Sequence, residues 1–260
     1  MERANLKFLS SVFVSIATLV LTASTVYGLT VSLEPATAQR EVGGKVRVHI
    51  YAEGADSLIS MGVKVTFDPA VLEVVEATKF ENLDNGWLLD ADGNPATTND
   101  QYNTPAVEID NANGTVVMIG GHMKGVGTAG LNGKVLLGWI VFQAKLNGTS
   151  YLSVDLGKYH PDHPSQTFDN FVKLDGTVDE PTNLPGDLGV ICIMDGACEG
   201  DVNGNGSVAF DDYAKLNTAW GANFGDPNYD PSCDLNGDGS INFPDFAILN
   251  NDWGRTCNCP

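Results

Sequence analysis

Residues 201–221 read DVNGNGSVAFDDYAKLNTAWG, and residues 234–254 read DLNGDGSINFPDFAILNNDWG. At a spacing of 33, 12 of these 21 positions are identical. Val208/Ile241, Tyr213/Phe246 and Asn205/Asp238 differ only conservatively. A chain that repeats so short a unit must fold two like pieces, each too small to hold its helix alone. Both pieces place oxygen-bearing side chains at alternate positions 1, 3 and 5 of a loop: Asp201, Asn203 and Asn205, then Asp234, Asn236 and Asp238. Gly206 and Gly239 follow at position 6, Ser207 and Ser240 at position 7, and Asp212 and Asp245 at position 12.

The spacing suits a hard cation. Calcium takes six to eight oxygen ligands, and a chain curling round it presents alternate residues inward. The turn at position 6 needs a positive φ, which glycine adopts cheaply. Position 7 is expected to contribute its backbone carbonyl. Position 12 falls on the first turn of a helix, where a carboxylate also complements the helix dipole. Pro244 suits a helix start. Tyr213, Leu216 and Trp220 recur at i, i+3 and i+7, as do Phe246, Leu249 and Trp253, so each short helix is expected to bury one stripe. Gly221 and Gly254 are expected to stop the helices. Val208 and Ile241 are expected to pair across the two loops. A DxNxxG run alone also fits an Asx-rich turn without metal; two copies in register, each leading into the same helix, favour two calcium ions. Position 12 is Asp rather than Glu, and no helical pattern precedes either loop, which departs from a general EF-hand.

These features resemble a type I dockerin over residues 200–255. The resemblance implies calcium-dependent docking to cohesin domains. It carries ligand roles onto Asp201, Asn203, Asn205, Ser207 and Asp212, and onto Asp234, Asn236, Asp238, Ser240 and Asp245. Family positions 10 and 11, which touch the partner, are often small hydroxyl residues. Here they are Phe210-Asp211 and Phe243-Pro244. The two Phe side chains fit either an exposed partner anchor or the core.

Residues 29–180 follow a different grammar. LTVSL (29–33), VRVHIYA (46–52), MGVKVTF (61–67), TVVMIGGHM (115–123), VLLGWIVFQA (135–144), YLSVDL (151–156) and FVKL (171–174) are β-rich runs between Gly, Asn, Asp and Pro clusters. Seven or more short strands without a long helix predict a β-sandwich or jelly roll. The polar stretch 81–114 reads as a surface excursion. With VKVTFDPAVLEVVEAT (63–78), the region is similar to a cohesin domain, which implies a jelly-roll sandwich that receives a docking partner. A carbohydrate-binding module of similar architecture is the alternative, with polysaccharide as its ligand. Prolines 181 and 185 and the change of pattern place a linker at 181–199, and residues 256–260 form a Cys-containing tail.

The chain opens as a secretory signal peptide. Arg3 and Lys7 precede an apolar run from Phe8 to Ala23, and Val26-Tyr27-Gly28 fits a cleavage site, so residues 1–28 are expected to be removed. No second run of spanning length follows, so a secreted or cell-surface protein without a stable membrane span is expected. The 14 basic and 33 acidic residues give a net charge of −19, which argues against nucleic acid as a partner and suits a holder of cations. All five cysteines lie at or beyond position 192, so disulfides, if formed, staple only the C-terminal part. Cys198, Cys233 and Cys257 or Cys259 flank the loops, and their pairing is open.

Other candidates are weaker. DADGN (90–94) starts like a calcium loop but has Pro95 in place of the turn glycine, and His160 and His163 lie in KYHPDHP, where prolines forbid helical presentation. His122 reads as structural. Trp87, Trp139 and Tyr151 are the aromatics that fit sugar stacking. No nucleophile–base motif, HExxH or P-loop occurs. The sequence therefore reads as a secreted, non-catalytic adaptor: a cohesin-like β-sandwich followed by a small α-helical, EF-hand-like calcium module. Its expected partners are cohesin- or dockerin-bearing proteins in polysaccharide-degrading or cell-surface assemblies.

Overall fold

The structure, a computed structural model, describes residues 28–79, 98–99, 104–105, 107–121, 130–157 and 171–257. All but the last residue of the expected signal peptide therefore lies outside the described residues, as do the DADGN loop, Trp87, His122, His160 and His163.

In chain order the described strands are β1 (Thr30–Glu34), β2 (Thr37–Arg40), β3 (Lys45–Thr66), β4 (Leu72–Lys79), β5 (Thr98–Asn99), β6 (Thr104–Pro105), β7 (Val107–Asp110), β8 (Thr115–Gly121), β9 (Leu131–Ala144), β10 (Gly148–Leu156), β11 (Val172–Lys173) and β12 (Gly186–Ile193). Two short helices follow, α1 (Phe210–Thr218) and α2 (Phe243–Asn251).

The long strand β3 organises the sandwich. Its first half pairs with β1 and β9, and β9 pairs in turn with β4. Its second half pairs with β8, β10 and β11. Between the halves the register shifts, and Gly54 and Ser57 adopt φ of 74° and 55°. Glycine turns there without steric cost. The strand thus leaves one layer and joins the other, and VRVHIYA and MGVKVTF, expected as two strands, are one. Val46, Val48 and Ile50 from the first half and Val63 and Val65 from the second meet in one core with Leu137, Phe142, Leu152 and Val154. Period-two alternation explains the choice: even-numbered residues in 46–52 point inward and Arg47, His49 and Tyr51 point outward.

Two elements were not apparent in the sequence. The expected linker 181–199 contains β12, antiparallel to β10 and parallel to β2. Prolines 181 and 185 punctuate the chain before it, but Ile191 and Ile193 then enter the core. The expected excursion 81–114 ends in β7, which pairs with β8.

The β7–β8 turn carries a testable constraint. Gly114 has φ of 67°, and a Cβ there would lie 2.2 Å from the carbonyl oxygen of Phe67. Phe67 N–H also donates to the Gly114 carbonyl at 2.8 Å, so the turn has no room to retreat. Gly114→Ala is expected to cost on the order of 2–4 kcal/mol, read as a lower urea midpoint at unchanged slope.

Candidate metal loops and docking face

Each repeat folds as a loop closed by its helix. The carboxylates of Asp212 and Asp245, both fully buried, sit at the third helical position. Asp212 Oδ2 accepts from Ala209 N–H at 2.9 Å and Oδ1 from Asn203 N–H at 3.0 Å. Asp245 Oδ2 accepts from Asn242 N–H at 2.8 Å, and Oδ1 accepts from Leu235 and Asn236 N–H. One side chain therefore caps the helix and gathers the start of the loop. Gly221 and Gly254 follow the helices with φ of 80° each, as expected of helix stops.

The remaining expected ligands line the same loops. Asp201 accepts from Asn205 and Gly206 N–H, and Asp234 from Asp238 and Gly239 N–H. Asn203 and Asn236 each accept, through their side-chain oxygen, from the residue two further on. Asn205 and Asp238 do the same for Ser207 and Ser240. Gly206 and Gly239 turn with φ of 86° and 88°. Among the described residues no three His, Cys, Asp or Glu side chains gather as a metal cluster; the donors here are carboxylates mixed with Asn amide oxygens. Burial raises the carboxyl pKa of Asp201, Asp234 and Asp245. A neighbouring carboxylate adds to the rise, Asp212 for Asp201 and Asp234 for Asp245. Crowded, partly dehydrated carboxylates with amide oxygens are a donor set that a hard dication relieves.

The two repeats brace each other crosswise. Val208 bonds through its backbone to Gly254 and Arg255, and Ile241 to Gly221 and Ala222. Val208 and Ile241, expected to pair across the two loops, share the small core through their side chains, while the backbone of each pairs with the segment after the other repeat's helix. Phe224 N–H donates to Gly239, and Cys257 N–H to Gly206, at equivalent places. Cys257 is bonded to Cys198, and Cys192 is also in a disulfide. Cys233 is a buried free thiol whose pKa burial pushes up to about 12, so it stays protonated.

The helices bury less than their stripes suggest. Leu216 and Leu249 are fully buried and Tyr213 and Phe246 partly so, but Trp220 and Trp253 are 46% and 50% exposed. Phe210 and Phe243 are 70% and 68% exposed, which decides the open alternative against the core. Asp211 and Pro244 beside them are exposed too. Phe210 touches Tyr213, Tyr213 touches Phe246, and Phe246 touches Trp220 and Phe243, at ring separations of 5.9–6.4 Å. The outcome is one aromatic face spanning both helices.

The opposite side of the module lies on the sandwich, an arrangement not apparent in the sequence. Trp139 of β9 packs on Phe224 at 4.6 Å between centroids. His49 of β3 is enclosed by Tyr51, Trp139, Phe224 and Tyr229. Arg40, also buried, donates to the Leu235 carbonyl at 3.1 Å, and Arg47 to the Gly237 carbonyl at 3.2 Å. The signal in hindsight is the outward trio Arg47, His49 and Tyr51 on one face of VRVHIYA. Trp139, a candidate for sugar stacking, is taken up by Phe224 and by Arg47, whose Cζ lies 5.7 Å from its ring centre. Tyr151 remains 62% exposed.

Against known families, one model matches. Residues 199–252 match the dockerin type I domain. No curated protein matches the chain. Among solved structures, the sixth cohesin of scaffoldin B from Acetivibrio cellulolyticus, in complex with a dockerin, is similar at 12% identity and a TM-score of 0.44, covering 65% of this chain and 100% of that one. A type I cohesin–dockerin complex from Clostridium thermocellum is similar at 11% identity and a TM-score of 0.44, with the same coverage. A non-cellulosomal cohesin from Archaeoglobus fulgidus is similar at 15% identity and a TM-score of 0.42, covering 65% of this chain and 92% of that one. The dockerin-type match covers both loops and both helices. Among the described residues, no helix is long and apolar enough to cross a membrane.

Two outcomes follow from this geometry. The Cys198–Cys257 bond closes a separation of 59 residues. On chain-entropy grounds, replacing both by Ser is expected to cost about 4 kcal/mol, read by denaturant unfolding at saturating calcium. His49 is held neutral, with its pKa lowered from 6.5 to about 3 by burial and then by Arg47. The unfolded chain therefore binds the extra proton first, so stability falls as pH drops from about 6.5 toward about 3. His49→Gln is expected to flatten that limb in thermal unfolding scans across the range.

Proposed function

We propose that this protein is a secreted, non-catalytic adaptor whose dockerin-type module binds two calcium ions and docks a cohesin-bearing partner. The observation that carries the reading is the exposed aromatic face of the two helices, above loops whose side-chain oxygens point inward. Calcium at Asp201, Asn203, Asn205, Asp212 and the Ser207 carbonyl would hold the first loop. Asp234, Asn236, Asp238, Asp245 and the Ser240 carbonyl would hold the second. The ion supplies charge neutralisation; the chain's own carboxylates at position 12 tie each loop to its helix.

Phe210 and Phe243 occupy equivalent places in the repeat, so either helix can lead in a pseudo-twofold surface. Exposed aromatic side chains are strong anchors, because they bury large area with little entropy loss. Asp211 and Pro244 differ between the copies and bias which one leads. The cohesin-like sandwich, which β12 extends to Ile193, stands as the receiving half of the adaptor and runs on into the module. Linkage to polysaccharide-degrading or cell-surface assemblies follows from this pairing of roles.

Titration calorimetry of the full chain against isolated type I cohesin domains tests the reading. Binding is expected with calcium and lost in EDTA. Phe210→Ala and Phe243→Ala are expected to be mild singly and to weaken binding by about 100-fold or more together. Binding indifferent to EDTA would sink the calcium mechanism.

A further inference from the structure

The two loops share a sequence but not their surroundings. Asp234 is buried, and its Oδ1 accepts from Asp238 N–H. Its Oδ2 accepts from Gly239 N–H at 2.9 Å and from the Tyr229 hydroxyl at 2.7 Å. Arg47 Nε lies 3.9 Å from that same Oδ2, and Arg47 Nη2 donates to the Gly237 carbonyl at 3.2 Å. Arg40 holds the Leu235 carbonyl. Three oxygens of the second loop are thus engaged from β2 and β3.

The first loop meets β2, where a Cβ on Gly204 would lie 2.6 Å from Thr37 Oγ1, but its oxygens gain no such donors. The equivalent atoms are Asp201 Oδ2 and the carbonyls of Val202 and Gly204. Asp201 Oδ2 accepts from Gly206 N–H within the loop, and the Val202 carbonyl accepts from Lys215 of α1 at 3.4 Å. Among the described residues, no sandwich side chain donates to any of the three.

We infer that Arg47 is a positioning residue for the ion of the second loop, so that the sandwich presents that loop ready-made while the first loop orders itself as its ion binds. The inference rests on the calcium reading above. Groups that orient a metal ligand from outside typically matter 10- to 100-fold in affinity. The guanidinium charge works in the other direction, by repelling a cation. Positioning prevails because that charge is shared between Asp234 and the face of Trp139, and because Arg47 approaches Oδ2 and leaves Oδ1 turned toward Asp238 N–H. The planar fork, rather than the charge, is what reaches Gly237 and Asp234 together.

The test is calcium titration of the full chain by calorimetry, with Asp201→Ala and Asp234→Ala assigning the sites. Wild type is expected to bind two ions, the second loop more tightly. Arg47→Met is expected to weaken the second loop by about 10-fold or more and to change the first by less than about 2-fold. Arg47→Lys, which keeps the charge but not the fork, is expected to weaken it as well, and it carries the test if Arg47→Met does not fold. An unchanged or tighter second loop in these variants, or an equal loss at both loops, would overturn the inference while leaving calcium binding intact. Absence of calcium binding by wild type would overturn both.

Discussion

The C-terminal module depends on two buried carboxylates. Asp212 and Asp245 each accept one backbone N–H from the start of their helix and one or two from the start of their loop. A nine-residue helix is marginal alone in water. Here each one is anchored at its N-terminus by the same atom pair that shapes the loop before it. A buried carboxylate is costly without compensation. The N–H bonds supply part of it, and an ion among the loop oxygens would supply the rest. Loop shape and helix start are therefore one interaction seen from two sides.

The repeats are linked by exchange. The segment after α1 braces the second loop, and the segment after α2 braces the first. Neither repeat completes itself, which is why the duplication matters physically. At the two equivalent positions the chain then uses different fasteners. Phe224 goes into the aromatic joint on the sandwich, and Cys257 goes into a disulfide. The pseudo-symmetry holds on the aromatic helix face and is broken on the face that meets the sandwich. This asymmetry suits a module with one side turned outward to a partner and the other fastened to its own chain.

The joint itself is polar and aromatic rather than greasy. His49 sits at its centre with Nε2 unpartnered, which is tolerable only while the ring is neutral. Arg40 and Arg47 are spent on backbone carbonyls of the second loop. Such bonds tie the position of β3 to the shape of that loop. The sandwich is thus more than a neighbour of the module.

Local chemistry was legible in the sequence. The hydrogen-bonded Asp/Asn loops, the turn glycines, the helix-capping position-12 carboxylates and the helix stops follow from side-chain reach and φ preferences, which act within a dozen residues. Strand alternation likewise announced the sandwich. Tertiary structure alone decided the rest. Whether Phe210 and Trp220 face water, whether β3 bridges two layers, whether β12 replaces a linker, and whether Arg47 meets Gly237 are all questions of contacts between distant residues. Arg47 and Asp234 lie far apart in the chain, and nothing in the alternation of VRVHIYA says what will cover its outward face. Periodicity tells which side of a strand is apolar. Only packing tells which polar residues on the other side find a partner.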